Sequence, residues 1–257
     1  MVPTHFHRIF ELDDTILDQH KGTRLHAIVS NAAPLPNRTK EKIIQYFGNN
    51  LLHETYGSTE ASIVSNLRPA DQLRKRNCVG LPISSTLLHI RNENGDECGP
   101  EEPGELFSSS PYLFDGYWEN PSETKAVLQN GWVSVGDIVK RDADGYLYII
   151  DRKKDMIISG GTNIYPREIE VVLEQHPAIL AAAVIGIPDQ KWGERPKAYV
   201  VIDADIEFVS IEVISFAESL LAKYKVPKEF EAIDELPRNA GGKLVKESLR
   251  ALHQSSN

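Results

Sequence analysis

Asp151-Arg152-Lys153-Lys154-Asp155-Met156-Ile157-Ile158-Ser159-Gly160-Gly161-Thr162-Asn163-Ile164-Tyr165-Pro166 is where the character of this chain changes. Five consecutive charged residues separate two β-like runs. The first, residues 132–152, reads as a hairpin about the Asp144-Gly145 turn. The second, residues 156–159, is a short strand that ends in a loop at residues 160–163. Pro166 presets the backbone for a first helical turn. Ile169, Val172 and Leu173 then fall on one helical face. Strands are expected at residues 181–187 and 197–202. Ser210 starts a second helix, with Val213, Phe216, Ala217, Leu220 and Leu221 on its buried stripe. A strand near Phe230, a Gly241-Gly242 turn and a terminal helix follow. These elements make an α+β unit of about 100 residues, the size of a small domain. The boundary falls at residues 152–155, dividing the chain into domains 1–152 and 153–257.

Upstream, residues 25–29 read as a strand leading to a small-residue loop, Ser30-Asn31-Ala32-Ala33-Pro34-Leu35. Asn37 can cap a helix carrying Ile43, Ile44 and Phe47, which Gly48 closes. Residues 51–55 form a strand feeding a loop at Tyr56-Gly57. Residues 79–110 are β-like, with strands at 87–91 and 104–109 and a turn at Asn94-Gly95. Asn120-Pro121-Ser122-Glu123 sets a cap, a first-turn proline and a third-position glutamate before a short helix.

Bulk composition narrows the classes. A chain of 257 residues can bury a sizeable core. Its 41% hydrophobic and 25% charged content are globular values. A net charge of −9 argues against a nucleic-acid partner or an anionic membrane surface. No apolar run approaches the roughly 20 residues of a membrane span, so no integral membrane segment is expected. Residues 1–10 carry His5, His7, Arg8 and Pro3 and do not read as a secretory signal. Cys78 and Cys98 have no metal-type spacing, which fits a reduced, cytoplasmic protein. The eight histidines show no ligand pattern.

Tyr56-Gly57-Ser58-Thr59-Glu60 offers an aromatic ring, two hydroxyls and a carboxylate within five residues. Such a group can stack a base, bond phosphate oxygens and hold Mg²⁺, which favours one or two carboxylates plus substrate phosphates. A polar strand-end turn has the same composition, so these five residues alone leave both readings open. Asp137 can accept from ribose hydroxyls and Arg152 can donate to them; alone, such residues are more often a turn acid or a surface ion pair. The small side chains of residues 30–35 let a flat ring approach the backbone, as they would in a plain tight turn. Gly160-Gly161 can pass a narrow ligand arm, and Lys243 can reach an anion or simply be solvated.

Taken in order, Tyr56-Gly57-Ser58-Thr59-Glu60, the Gly136-Asp137 segment, residues 144–170 and Leu236-Pro237-Arg238-Asn239-Ala240-Gly241-Gly242-Lys243 closely resemble the acyl-CoA synthetase branch of the adenylate-forming enzymes. The resemblance runs from Val2-Pro3-Thr4 to about residue 250. It implies activation of a small-molecule carboxylic acid, fatty or aryl, by ATP to an acyl-adenylate. Transfer of the acyl group to coenzyme A follows. The implied fold is α/β plus α+β: part of a large adenylation domain, with a distorted β-barrel and flanking α/β structure, followed by a small mobile domain.

By resemblance, Asn31, Ala32, Ala33 and Pro34 line the adenine and acyl pocket, and Tyr56 stacks on adenine. Gly57 and Ser58 belong to the same nucleotide site, Thr59 contacts phosphate and Glu60 holds Mg²⁺. Asp137, Ile149 and Arg152 hold the nucleoside. Lys243 is implied to be the adenylation lysine. Ser159, Gly160 and Gly161 flank the pantetheine arm of CoA, and Lys153 and Lys154 form the hinge of the small domain. Trp192 is assigned to packing. Asn31 departs from the family, where glycine is common.

The family's Ser/Thr/Gly-rich phosphate loop is absent from these 257 residues, and Val2-Pro3-Thr4 matches a segment deep inside the large domain. The chain is therefore expected to be the C-terminal part of such an enzyme and inactive or very weak alone. Surface bared in this way is expected to favour self-association, as in a homodimer. Two other readings stand beside the ligase: a non-catalytic nucleotide or CoA-binding module, and an adenylation domain that loads a carrier protein.

Overall fold

The computed structural model describes residues 1–20, 25–239 and 242–255. Backbone contacts divide the chain into two compact units, Met1–Ile149 and Ile150–Asn257.

The first unit opens with a four-stranded sheet in the order Ile28–Ser30, Leu52–Ser58, Ser62–Leu67 and Leu81–Pro82. The first two strands are parallel, with Ile28 opposite Leu52, and parallel neighbours need a crossover. Helix Asn37–Phe47 lies within that crossover. Its Ile43 and Ile44 share a core with Phe6, Ile28, Leu35 and Leu52. Side chains alternate across a strand, so Ile28 and Ser30 are buried while Val29 is exposed. The helix is where the sequence puts it, but Pro36 rather than Asn37 is its N-cap residue. Gly48 ends it at φ +103°.

The strand from Leu52 does not stop at residue 55; it runs through Tyr56 and Gly57 to Ser58. A Cβ on Gly57 would stand 2.0 Å from the Ser62 carbonyl oxygen, and the ladder shifts register at Tyr56/Gly57. The glycine that reads as a turn is a bulge where two backbones approach closely.

A six-stranded sheet follows. Its main path is Leu147–Arg152, Asp137–Arg141, Gly104–Ser109, Trp132–Val133 and Leu128–Gln129, and Leu87–Arg91 pairs with Gly104–Ser109. Leu87 lies opposite Ser109, and Gly95 turns the hairpin at φ +86°. Val64, Ile90, Leu106, Val133, Val139 and Leu147 form the core beneath. Asn120 caps helix Pro121–Val127 as its motif predicts, accepting from the Glu123 amide at 3.2 Å. Among the described residues no sheet closes into a barrel. The distorted barrel of the sequence reading is here an open sheet ending in a two-residue strand.

The second unit holds a five-stranded sheet in the order Thr162–Ile164, Ile157–Ser159, Gly193–Ile202 and Ile179–Asp189, with Glu229–Ala232 parallel to Gly193–Ile202. Ile169 and Leu173 of helix Pro166–Leu173 and Val213 and Ala217 of helix Ser210–Leu220 share a core with Val184 and Val200. Leu249 of helix Lys246–Ser255 joins Ala183, Ile185 and Tyr199 in a separate cluster. Strands covered on both faces are continuously apolar, as Ala182-Ala183-Val184-Ile185 is. Leu220, expected on the buried stripe, is 53% exposed. The helix ends there, and Leu221 takes extended backbone and is buried in its place. The loop expected at residues 160–163 is tighter: Ser159 pairs with Thr162. Gly160 and Gly161, at φ +57° and +79°, form a two-residue hairpin turn that needs glycine.

Candidate functional site

In the first unit, Tyr56 and Asp137 meet although 81 residues separate them: the Tyr56 hydroxyl donates to Asp137 Oδ2 at 2.5 Å. Tyr56 sits on strand Leu52–Ser58, and Asp137 opens strand Asp137–Arg141 just after the left-handed Gly136. Asp137 is only 3% exposed. A carboxylate so placed depends on hydrogen bonds.

The loop at residues 31–34 leaves strand Ile28–Ser30 beside Tyr56's own strand, because Asn31 Nδ2 donates to Thr55 Oγ1 at 2.9 Å. Ala32 adopts φ +72°, and its amide donates to the Asn31 side chain. Asn31 thus supplies two bonds that a glycine could not. Both parallel strands end at this edge, the end at which open α/β sheets carry ligands. Ser58 Oγ accepts from the Ala61 amide at 3.1 Å, and Thr59 is exposed in the same turn.

Glu60 is held by a residue that sequence reasoning missed. Tyr117 donates to Glu60 Oε1 at 2.5 Å, and the Phe114 amide donates to the Glu60 carbonyl at 3.0 Å. The Phe114 and Tyr117 rings pack edge to face at 5.1 Å. That hydrogen bond to the carboxylate, with burial, pushes the Tyr117 hydroxyl up to about 12. The signal available was Phe114-Asp115-Gly116-Tyr117-Trp118, aromatic residues flanking a glycine between a strand and a capped helix. Among the described residues, no group of three or more His, Cys, Asp or Glu could hold a metal. A single glutamate suits an ion that keeps its waters and takes phosphate oxygens, as Mg²⁺ does, and does not suit a metal caged by protein alone. Ile149, on strand Leu147–Arg152, is 38% exposed.

In the second unit, Asp151 is a local anchor. Its Oδ1 accepts from the Arg152 amide at 2.7 Å. Its Oδ2 accepts from the Arg167 amide at 2.8 Å, in the first turn of helix Pro166–Leu173. Burial pushes its carboxyl up. Arg152, Lys153 and Lys154 are exposed around a 3₁₀ turn. Asp155 is buried and pairs with Arg250 at 2.8 Å.

The Gly160 amide donates to the Trp192 carbonyl at 2.7 Å. A Cβ on Gly160 would stand 2.7 Å from the Trp192 ring, whereas one on Gly161 would meet nothing within 4 Å. Trp192 therefore packs on the turn as expected, yet remains 50% exposed.

Lys243 is exposed on a hairpin whose tip, Ala240-Gly241, lies outside the described residues. Its amide donates to Asn239 Oδ1 at 3.0 Å, and its carbonyl accepts from the Asn239 amide at 2.9 Å. Arg238 Nη1 donates to the Gly242 carbonyl at 2.9 Å. Three residues on, Lys246 is buried against Glu170 at 2.7 Å. The exposed lysine thus follows a hydrogen-bonded base and precedes a buried ion pair.

Residues 1–118 match the AMP-binding enzyme family, and residues 168–243 match the AMP-binding enzyme C-terminal domain. The long-chain-fatty-acid–CoA ligase of Bacillus subtilis (strain 168) is 41% identical over 234 residues, covering 91% of this chain and 42% of that protein. The 2-succinylbenzoate–CoA ligase of Bacillus licheniformis is 42% identical over 197 residues, covering 76% of this chain and 41% of that protein. Among solved structures, o-succinylbenzoate CoA synthetase from Bacillus subtilis in complex with its acyl-adenylate intermediate superposes with a TM-score of 0.82. It has 34% identity and covers 97% of this chain and 50% of that one. ATP-bound MatB from Rhodopseudomonas palustris gives 0.86 at 31% identity, covering 98% of this chain and 50% of that one. The chain thus spans about half the length of the relatives it matches. With both matches in this order over an architecture shared at such TM-scores, this protein belongs to the AMP-binding enzymes.

Proposed function

We propose that this chain supplies the nucleotide-holding elements and the C-terminal domain of an ATP-dependent acid–CoA ligase. The reaction joins a carboxylate to ATP, giving acyl-AMP and pyrophosphate. The CoA thiol then displaces AMP to give the thioester. The observation that carries this reading is the Tyr56–Asp137 hydrogen bond, which gathers a stacking ring and a ribose-type acceptor from distant parts of the sequence.

In this reading Tyr56 stacks on adenine within the edge formed by Asn31, Ala32, Ala33 and Pro34. Gly57 lets the strand bulge so that Ser58 and Thr59 face phosphate. Glu60, oriented by Tyr117, would hold Mg²⁺, which neutralises phosphate charge when bound. Asp137, Ile149 and Arg152 hold the nucleoside. Lys243 adds positive charge where charge develops during adenylation. Rotation about Lys153 and Lys154 exchanges Lys243 for the Ser159-Gly160-Gly161 turn, where CoA's pantetheine arm would pass.

A fatty or aryl acid is the substrate class, after the fatty-acid and succinylbenzoate ligases among the relatives. Two buried, unpaired cysteines support a cytoplasmic setting. No described helix is long and apolar enough to cross a membrane. Exposed Val29 and Ile63 support self-association of the first unit.

The test is calorimetric titration with AMP and with a non-hydrolysable acyl-sulfamoyl adenosine. The acyl compound should bind at least about tenfold more tightly than AMP, as intermediate analogues do. Failure of both to bind refutes the reading.

A further inference from the structure

We infer that the Tyr56 hydroxyl is a positioning group that fixes Asp137 for ribose recognition and so couples base stacking to the choice of ribonucleotides. The inference rests on the nucleotide reading above. The hydroxyl adds to it: ring stacking alone would be served as well by phenylalanine.

The argument begins with burial. Asp137 is 3% exposed, and the Tyr56 hydroxyl reaches its Oδ2 at 2.5 Å, a short distance typical of a hydroxyl bonded to a carboxylate. A carboxylate has about four acceptor positions, and this bond uses one of them. It also fixes the rotation of the carboxyl plane. Strand pairing fixes the other end: Tyr56 lies opposite Ser65 in an antiparallel ladder. The ring is thus held by strand backbone and the carboxylate by the ring's own hydroxyl. A nucleoside stacked on that ring meets an acceptor that the same side chain helps to orient. Base and sugar recognition become a single rigid unit, and a ligand lacking ribose hydroxyls gains nothing from the carboxylate.

The experiment compares AMP with 2′,3′-dideoxy-AMP on the 257-residue chain, its Tyr56→Phe variant and its Tyr56→Trp variant, by calorimetry. Thermal melts establish that each variant is folded. The wild-type chain should prefer AMP strongly. In both variants that preference should shrink by about tenfold, the usual cost of one lost bond to a charged group. Affinity for the dideoxy nucleotide should fall by less than affinity for AMP, because only the ribose-bearing ligand uses the positioned carboxylate. Equal weakening of both nucleotides in the variants overturns the inference and leaves Tyr56 a stacking ring only. Binding of neither nucleotide by the wild-type chain overturns the nucleotide reading and this inference together.

Discussion

Lys246 Nζ lies 2.7 Å from Glu170 Oε1, with the two side chains 9% and 3% exposed. The same oxygen accepts from the Val184 amide at 3.0 Å, and Arg167 approaches the other oxygen at 3.4 Å. Helix Lys246–Ser255 is thereby tied to helix Pro166–Leu173 directly below the hairpin that carries Lys243. Breaking a buried pair strands an uncompensated charge at a cost of about 3–5 kcal/mol, while replacing both members with apolar groups costs far less. Glu170→Gln and Lys246→Met should each lower stability by amounts in that range. The Lys246→Met/Glu170→Gln double variant, which keeps an acceptor for the Val184 amide, should recover much of the loss. Urea unfolding midpoints decide this, and additive losses would show the pair is not coupled.

Tyr117 donates to the Glu60 carboxylate, which in the proposed function would hold Mg²⁺. Removing such a partner typically weakens metal affinity by about 10–100-fold. Tyr117→Phe should therefore raise the Mg²⁺ concentration needed for half-maximal ATP binding at least about tenfold. AMP binding, which needs no metal, should be unaltered. An unchanged Mg²⁺ midpoint would show that Glu60 holds its orientation without the hydroxyl.

The motifs made much of this arrangement legible. The Asn120 cap, the Pro166 helix start and the Asn94-Gly95 hairpin depend on neighbours a few residues apart, and each stands where local chemistry puts it. What escaped was set by contacts distant in sequence. Gly57 reads as a turn because its partner, Ser62, acts through backbone proximity that no pattern records. Leu220 fits a helical stripe until the helix ends beneath it. Tyr117 is an ordinary aromatic until the loop folds it 57 residues back onto Glu60. Family resemblance supplied roles for Tyr56 and Asp137; only the fold supplied the hydrogen bond that joins them.

Asp142 gives the first unit an acid-sensitive joint. Burial pushes its carboxyl up. The Lys75 ammonium at 2.6 Å, the Tyr146 amide and the Tyr148 hydroxyl outweigh burial and hold it below the ordinary value. A carboxyl that is more acidic in the folded state than in the unfolded state stabilises the fold above its unfolded pKa, about 3.9. That contribution fades as pH falls through the lower folded value. Asp142→Asn should therefore be less stable than wild type near neutral pH, and the gap should narrow below about pH 4. Urea midpoints across that range measure it; a gap that widens with acid would contradict the sign.

Gly160 and Gly161 are neighbours with different constraints, which separates folding from function in the turn. Both have left-handed backbone, so alanine at either costs about 1–2 kcal/mol. At Gly160 the new methyl also meets the Trp192 ring at 2.7 Å, while at Gly161 the space is open. Gly160→Ala should thus lose more stability than Gly161→Ala and loosen Trp192, visible in its fluorescence. Gly161→Asn, a residue that tolerates left-handed backbone, should stay folded at modest cost and, in a ligase containing this chain, slow thioester formation from supplied acyl-adenylate while sparing adenylation. Lys243→Ala should do the reverse: its side chain is exposed, so the fold is unaffected, and adenylation falls by about 10²–10³ as for other lost transition-state donors. Rates of pyrophosphate exchange and of thioester formation, measured separately on both variants, test the division of labour. If each variant lowers both rates equally, the two elements do not serve separate half-reactions.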